Sequence, residues 1–191
     1  MNETPIIIGI TGTLGAGKGT IVDYLIQKKG FIHYSVRNYL TGILEKRELT
    51  INRDRLVALA NELRNKHGSD YIVKQLYKKA TKVNKASIIE SIRTTGEVNA
   101  LKKNKNFYLL AVDAKPKVRY QRIIKRGSAT DKITYQKFLA DEKFETTSQN
   151  PNDSNIIKVM KMADFKFENN GKIKDLYNQV DKAFNEIESK K

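Results

Sequence analysis

A mainly parallel α/β sheet covered by helices on both faces is the fold this sequence predicts, and three observations carry it. Short apolar runs, several of them β-branched, alternate with longer stretches whose apolar residues recur at helical spacing. The runs are apolar almost throughout, as strands buried on both faces must be, whereas a sheet with one wet face would alternate. The first run passes directly into a glycine-rich turn and then a helical pattern, the order of a βα unit.

In order, Ile6-Ile-Ile-Gly-Ile10 is the first strand. From Lys18 the apolar positions Ile21, Val22, Leu25 and Ile26 fall on one helical face, and Gly30 supplies the stop. Residues 31–34 form a second strand ending at Ser35. Two helices follow, one through Tyr39, Leu40, Ile43 and Leu44, the other through Leu56, Leu59, Ala60 and Leu63 with its end at His67-Gly68. A further helix over 71–80 returns to a strand at 86–90 with an acidic end, and 107–112 is another buried strand. Residues 117–125 form a basic helix with Val118, Ile123 and Ile124 as its apolar contacts. Residues 127–154 are polar and end in Gln149-Asn-Pro-Asn-Asp-Ser154, which predicts a mobile, loop-like segment. Phe165 and Phe167 alternate with Lys166 as a last strand should. Asn169-Asn-Gly171 is the turn after it, and Leu176, Val180, Phe184 and Ile187 give a closing amphipathic helix.

The chain has 191 residues and no internal repeat, which predicts one domain over 1–191. No apolar stretch approaches the roughly 18 residues that span a bilayer, and Met1-Asn-Glu-Thr-Pro5 lacks the basic start of a secretory signal; the expected location is cytoplasmic, with no membrane partner. With no cysteine there is no disulfide, thiolate metal site or thiol nucleophile. The formal net charge of +15 raises nucleic acid as a partner. Pairs such as Lys28-Lys29, Lys78-Lys79 and Lys102-Lys103 are spread along the chain without a run of five basic residues, so that partner is not favoured.

The chemistry concentrates at Gly12-Thr-Leu-Gly-Ala-Gly-Lys-Gly-Thr20. Its glycines let backbone N–H groups turn inward, and the helix that follows aims its positive end at an anion. Lys18 adds a mobile charge for β and γ phosphates. Gly12, Gly15, Ala16, Gly17, Lys18, Gly19 and Thr20 are therefore the expected triphosphate-binding residues. The general pattern places Ser or Thr directly after the lysine; here Gly19 stands there and Thr20 follows.

Gly-Lys-Gly-Thr is the form found in adenylate kinases and related nucleoside monophosphate kinases, and residues 6–24 resemble them closely. The resemblance implies a P-loop NTPase fold of three α/β/α layers around a five-stranded parallel sheet, with a helical acceptor-binding insertion at about 37–80 and a small lid at about 127–154. It also implies ATP and Mg2+ as cofactors. His33-Tyr-Ser-Val-Arg37 lies where these kinases have a Ser-Thr-Gly motif and a nearby arginine, implying Ser35 and Arg37 as acceptor contacts; Ser35 could equally cap the next helix. Asn38 replaces the acidic residue often found there, so base selectivity does not carry over.

Ile89-Glu-Ser-Ile-Arg93 resembles the Asp-Gly-Phe-Pro-Arg or Asp-Gly-Val-Arg segment after the third strand. That implies Glu90 near Mg2+ through water and Arg93 on the acceptor phosphate. Arg119, Arg122 and Arg126 share one helix face, and the resemblance makes this the helix leading into the lid, with Arg122 and Arg126 ahead of Arg119 as catalytic contacts; the plainer reading is a basic face with Lys117 and Lys125. Asp131, Asp141 and Glu142 lie within or after the lid, where they could pair with arginines to close it, but solvated charges are the expected default. His33 and His67 are too distant in sequence to point to a metal pair. Residues 162–171 resemble the last strand and turn of these kinases and of dephospho-coenzyme A kinases, implying Asn169, Asn170 and Gly171 as backbone contacts to the donor base.

The expected activity is ATP-dependent phosphoryl transfer to a nucleoside or deoxynucleoside monophosphate, with Lys18, Arg93, Arg122 and Arg126 as catalytic residues and nucleotides as the substrates. Dephospho-coenzyme A kinase is the alternative on an acceptor hydroxyl. It calls for a carboxylate base near the second strand, and residues 34–39 supply none. An adenylate-kinase-like ATPase with a regulatory or RNA-associated role is the alternative that the +15 charge supports. Retention of the fold with loss of catalysis is a third.

Overall fold

The computed structural model describes residues 5–128, 131–147 and 153–190. Five strands form one parallel sheet: β1 (Ile7–Gly12), β2 (Ile32–Ser35), β3 (Ser87–Glu90), β4 (Phe107–Asp113) and β5 (Phe165–Glu168), in the order β2-β3-β1-β4-β5. The helices are α1 (Lys18–Lys29), α2 (Val36–Lys46), α3 (Arg53–His67), α4 (Tyr71–Val83), α5 (Thr95–Leu101), α6 (Pro116–Arg126), α7 (Tyr135–Thr147), α8 (Ile156–Lys161) and α9 (Ile173–Glu188). The five strands are those the apolar runs predict, and the three-layer α/β arrangement is as expected.

Strand alternation sorts the core into two layers. Ile7, Ile89 and Leu109 face one side, where Leu40 and Leu44 of α2, Leu59 and Leu63 of α3 and Ile72, Val73 and Leu76 of α4 cover them. Ile8, Ile10, Ile88, Leu110 and Val112 face the other, under Ile21 and Leu25 of α1 and Val180, Phe184 and Ile187 of α9. β1 lies at the centre, with Ile8 paired to both Ile88 and Tyr108, and all six of its residues are buried. Because β1 is flanked by β3 on one side and β4 on the other, the chain reverses its winding here. The carboxyl ends of these strands therefore open the crevice where ligands of open α/β sheets bind.

Three helices go beyond the sequence expectations. α5 opens with a reciprocal cap: Thr94 Oγ1 accepts from the Glu97 backbone N–H, and Glu97 Oε2 accepts from that of Thr94. α8 is short and follows an Asn155 cap. The third, α7, corrects the loop-like reading of 127–154. Within it, Tyr135–Thr147 fold as a helix although they are mostly polar, because Phe138 is fully buried against the rings of Tyr120 and Tyr135 while the acids of the helix meet arginines. Residues 149–152 of the expected loop lie outside the described residues.

Candidate active site

Strand β1 ends at Gly12 and α1 begins at Lys18, so the intervening loop wraps around the helix N-terminus. Gly17 takes φ 110°, and a side chain there would also collide with the Asn169 amide. The loop is tied from both sides. Thr13 Oγ1 donates to Asp113 Oδ1 at 2.5 Å, and Asn169 Nδ2 donates to the Ala16 carbonyl at 2.8 Å. Lys18 folds back over it, its Nζ donating to the carbonyls of Gly12 and Thr13 at 2.8 and 2.9 Å. Desolvation, and then the positive charge of Arg93, lower the Lys18 ammonium to about 8.

This loop forms one wall of a cavity of about 650 Å³. Gly15, Gly17, Lys18, Gly19 and Thr20 line it together with Ser35, Arg37, Glu90, Arg93, Arg122 and Arg126. All eleven come from the sequence-expected sites far apart in the chain, Gly15 to Arg126, and Ser35 does both things expected of it. It caps α2 by accepting from the Asn38 N–H at 3.2 Å, and it faces the cavity. An apolar wall is made by Leu40, Leu56, Val57, Ala60 and the exposed Phe144.

Glu90 ends β3 beside Ser35, and its Oε2 meets His33 Nε2 at 3.1 Å, a pairing that sequence distance concealed. Burial alone would raise the Glu90 carboxyl; the His33 hydrogen bond and the Lys18 charge outweigh it and hold the group below its ordinary value. Arg93 lies on the loop after β3. Its backbone N–H donates to Glu97 Oε2 at 2.7 Å, and Glu97 Oε1 in turn accepts from Arg64 Nη2 at 2.9 Å. Arg64 and Glu97 are 1% and 0% exposed, so an ion pair inside the core sets the backbone from which Arg93 reaches out.

Arg122 and Arg126 reach the cavity from α6, whereas Arg119 does not line it. Arg119 is buried, with Nε on the Ala114 carbonyl at 2.6 Å, Nη1 on that of Leu14 at 3.3 Å and Nη2 on Glu142 at 2.6 Å. It braces the phosphate loop and α7. Arg122 Nη2 makes a long contact, 3.4 Å, to Asn169 Oδ1, while its Nη1 is buried without a hydrogen-bond partner. Burial lowers the Arg122 pKa. Arg126 grips Asp131 through two bonds of 2.7 Å, and that hydrogen bonding holds the Asp131 carboxyl down at about 2.

The remaining expected residues do not line the cavity. Gly12 and Ala16 are packed beneath it, Asn169 spends its side chain on the loop and Arg122, and Gly171 is an exposed turn residue before α9. The acids expected to be solvated are paired: Asp131 with Arg126, Asp141 with Lys137 at 2.7 Å, and Glu142 with Arg119. Asp141 and Lys137 are four residues apart on α7 and Asp131 and Arg126 five apart, whereas the Glu142–Arg119 pair is made by the docking of α7 on α6 and no local spacing announces it. Sequence reasoning passed over four charged residues of the cavity, Asp23, Arg53, Arg64 and Glu145. Arg53 opens α3, and Glu145 of α7 is 5% exposed. Burial would raise the Glu145 carboxyl, but the charges of Arg93 and Arg53 hold it below its ordinary value.

Residues 8–149 match the family described as AAA domain. A UPF0200 protein of Methanococcus vannielii is 30% identical over 163 residues, 83% of this chain and 84% of its own. Among solved structures, the protein TT1252 from Thermus thermophilus superposes with a TM-score of 0.60 at 20% identity, over 96% of this chain and 98% of that one. Dephospho-CoA kinase from Campylobacter jejuni superposes with a TM-score of 0.50 at 18% identity, over 97% and 98%. At these identities the structural likeness is one of fold, that of P-loop kinases. Among the described residues, no helix is long and apolar enough to cross a membrane.

Proposed function

This chain belongs to the AAA-domain family and to the UPF0200 proteins, and from that premise we propose that it transfers the γ-phosphoryl group of ATP to a nucleoside or deoxynucleoside monophosphate. The observation that carries the reading is convergence. Lys18, Arg37, Arg93, Arg122 and Arg126 line one cavity on the phosphate loop, and the buried, unpartnered Nη1 of Arg122 is a donor for which an anion oxygen is the natural acceptor. The triphosphate lies on residues 12–20 at the start of α1, with Lys18 released from its two carbonyls to the β and γ phosphates.

Mg2+ fits the residues present. Thr20 and Glu90 both face the cavity, a hydroxyl for direct contact and a carboxylate for contact through water. A magnesium ion held mainly by phosphates and water needs no larger protein cage. When bound, it neutralises charge on the phosphates. Residues 37–80 serve as the acceptor-binding insertion and 127–154, with α7, as the lid. Arg37 and Arg93 orient the acceptor phosphate for in-line attack, and Arg122 and Arg126 stabilise the charge that spreads over the transferred group. The apolar wall of Leu40, Leu56, Val57 and Ala60 suits the flat face of a base.

A hydroxyl acceptor would require a base. Of the three carboxylates that line the cavity, Glu90 and Glu145 are held below the ordinary range by hydrogen bonds and cationic neighbours and are poor proton acceptors, and the third, Asp23, stands on α1. An acceptor that is already an anion needs none.

The test is to incubate the protein with Mg-ATP and separate acceptors, ribo- and deoxynucleoside monophosphates and dephospho-coenzyme A, and to measure ADP and phosphorylated product. ADP formed only with a monophosphate, together with the matching diphosphate, is the expected result. ADP without any phosphorylated acceptor, stimulated by RNA, would replace this reading with the ATPase one.

A further inference from the structure

One carboxylate lies where the proposed acceptor phosphate belongs. Glu145 Oε1 accepts from Arg53 Nη2 at 2.6 Å, and Glu145 Oε2 accepts from Arg93 Nη1 at 2.6 Å. The two guanidinium groups come from different elements, the first turn of α3 and the loop after β3, and they converge on a single anion inside the cavity that Lys18 also lines. Arginine forks of this kind match phosphate oxygens as well as carboxylate oxygens.

The way α7 docks makes the carboxylate exchangeable. Of its larger apolar side chains Phe138 alone is fully buried, while Leu139 is 40% and Phe144 60% exposed. Beside the Tyr120–Tyr135 ring contact, it is tied by ion pairs: Asp141 and Glu145 to Arg53, Glu145 to Arg93 and Glu142 to Arg119. A helix held by buried apolar area has nothing to trade with a ligand. One held by ion pairs can release a carboxylate to an anion that satisfies the same arginines.

We propose that Arg53 and Arg93 form a phosphate subsite whose internal occupant is the Glu145 carboxylate, and that an acceptor phosphomonoester displaces it. Glu145 thereby sets specificity. A phosphomonoester brings about two negative charges and three acceptor oxygens, and so leaves neither arginine unpaired when the carboxylate departs. An uncharged hydroxyl compound brings neither, and its entry would strand two cations in a largely buried site. The word acceptor here rests on the kinase reading; the exchange itself does not.

Calorimetry tests it on the full chain with the phosphate loop filled by Mg2+ and a β,γ-imido analogue of ATP. Inorganic phosphate, and then adenosine monophosphate, is titrated into wild type and Glu145→Gln. Phosphate binding at least about tenfold tighter in Glu145→Gln, lost again when Arg53→Ala is added, is the expected result. Equal or weaker phosphate binding in Glu145→Gln overturns the proposal. Adenosine monophosphate gaining as phosphate does points to the phosphoryl group as the shared recognised element, whereas a gain by phosphate alone overturns the acceptor-selecting role.

Should Glu145→Gln fail to fold, a doubly labelled chain that keeps Glu145 answers instead. The sequence has no cysteine, so spin labels at Lys66→Cys on α3 and Gln136→Cys on α7 report the distance between the two helices. That distance changes on saturation with phosphate if Glu145 is displaced, and an unchanged distribution overturns the proposal. A phosphate gain without any phosphoryl transfer would sink the kinase reading and leave the subsite standing. Transfer without the gain would do the reverse.

Discussion

The two ends of the cavity are built by different physics. At the phosphate loop, position is set by backbone: Gly17 in the left-handed region, Thr13 and Ala16 tied to Asp113 and Asn169, and α1 packed through Ile21 and Leu25 against the sheet. At the facing end, position is set by side-chain charge, with Glu145 bridging Arg53 and Arg93 and an Arg64–Glu97 pair beneath them. A donor that is the same in every turnover suits a fixed cradle. An acceptor that must enter and leave suits contacts that can be exchanged, which is what ion pairs between separate elements provide.

The largest effect is expected where the backbone-built end meets its one mobile charge. Lys18→Met should lower acceptor-dependent turnover by about a thousandfold or more, read by ADP formation, because no other ammonium lies on the loop. Retention of a tenth of the activity would mean that the cradle alone suffices.

Stability should divide the two ends next. Arg64→Ala leaves Glu97 buried without its partner and is expected to cost about 3–5 kcal/mol in urea unfolding. It also loosens the backbone N–H of Arg93, which Glu97 holds. A cost below about 1 kcal/mol would mean that water or relaxation replaces the pair.

The smaller effect is a pH dependence with opposite signs in two measurements. Lys18 titrates near 8 in the folded chain against 10.5 when unperturbed. Between these values the unfolded chain holds a proton that the folded chain has lost, so this group makes folding stability rise with pH across that window. Affinity for the triphosphate should instead fall as pH rises through about 8, since the neutral amine no longer attracts phosphate. Fluorescence titration with a labelled nucleotide at pH 7 and 9 checks it, and Lys18→Met should flatten the difference.

The contrast between the ends also explains what could be read in advance. The phosphate loop is legible because its residues are contiguous and its glycines answer to backbone rules. The inner strands β1, β3 and β4 are legible as short apolar runs, and β5 as an alternation of Phe165 and Phe167 with Lys166. α5 carried a visible signal in Thr94 and Glu97, the spacing of a capping box, and Arg64 stood at a core position of the stripe through Ala60 and Leu63. Glu145 carried none. Its partners lie 52 and 92 residues away in sequence, and α7 has too few buried apolar positions to print a helical period. Ion pairs made across a fold leave no spacing in the chain.

The central claim is that Arg93 serves the acceptor and not the donor. Steady-state kinetics of Arg93→Ala, with ATP and the accepted monophosphate varied in turn, tests it most directly. About a hundredfold loss in kcat/KM for the acceptor, with the KM for ATP within twofold of wild type, is the expected result. Equal losses toward both substrates, or transfer left intact, would contradict it.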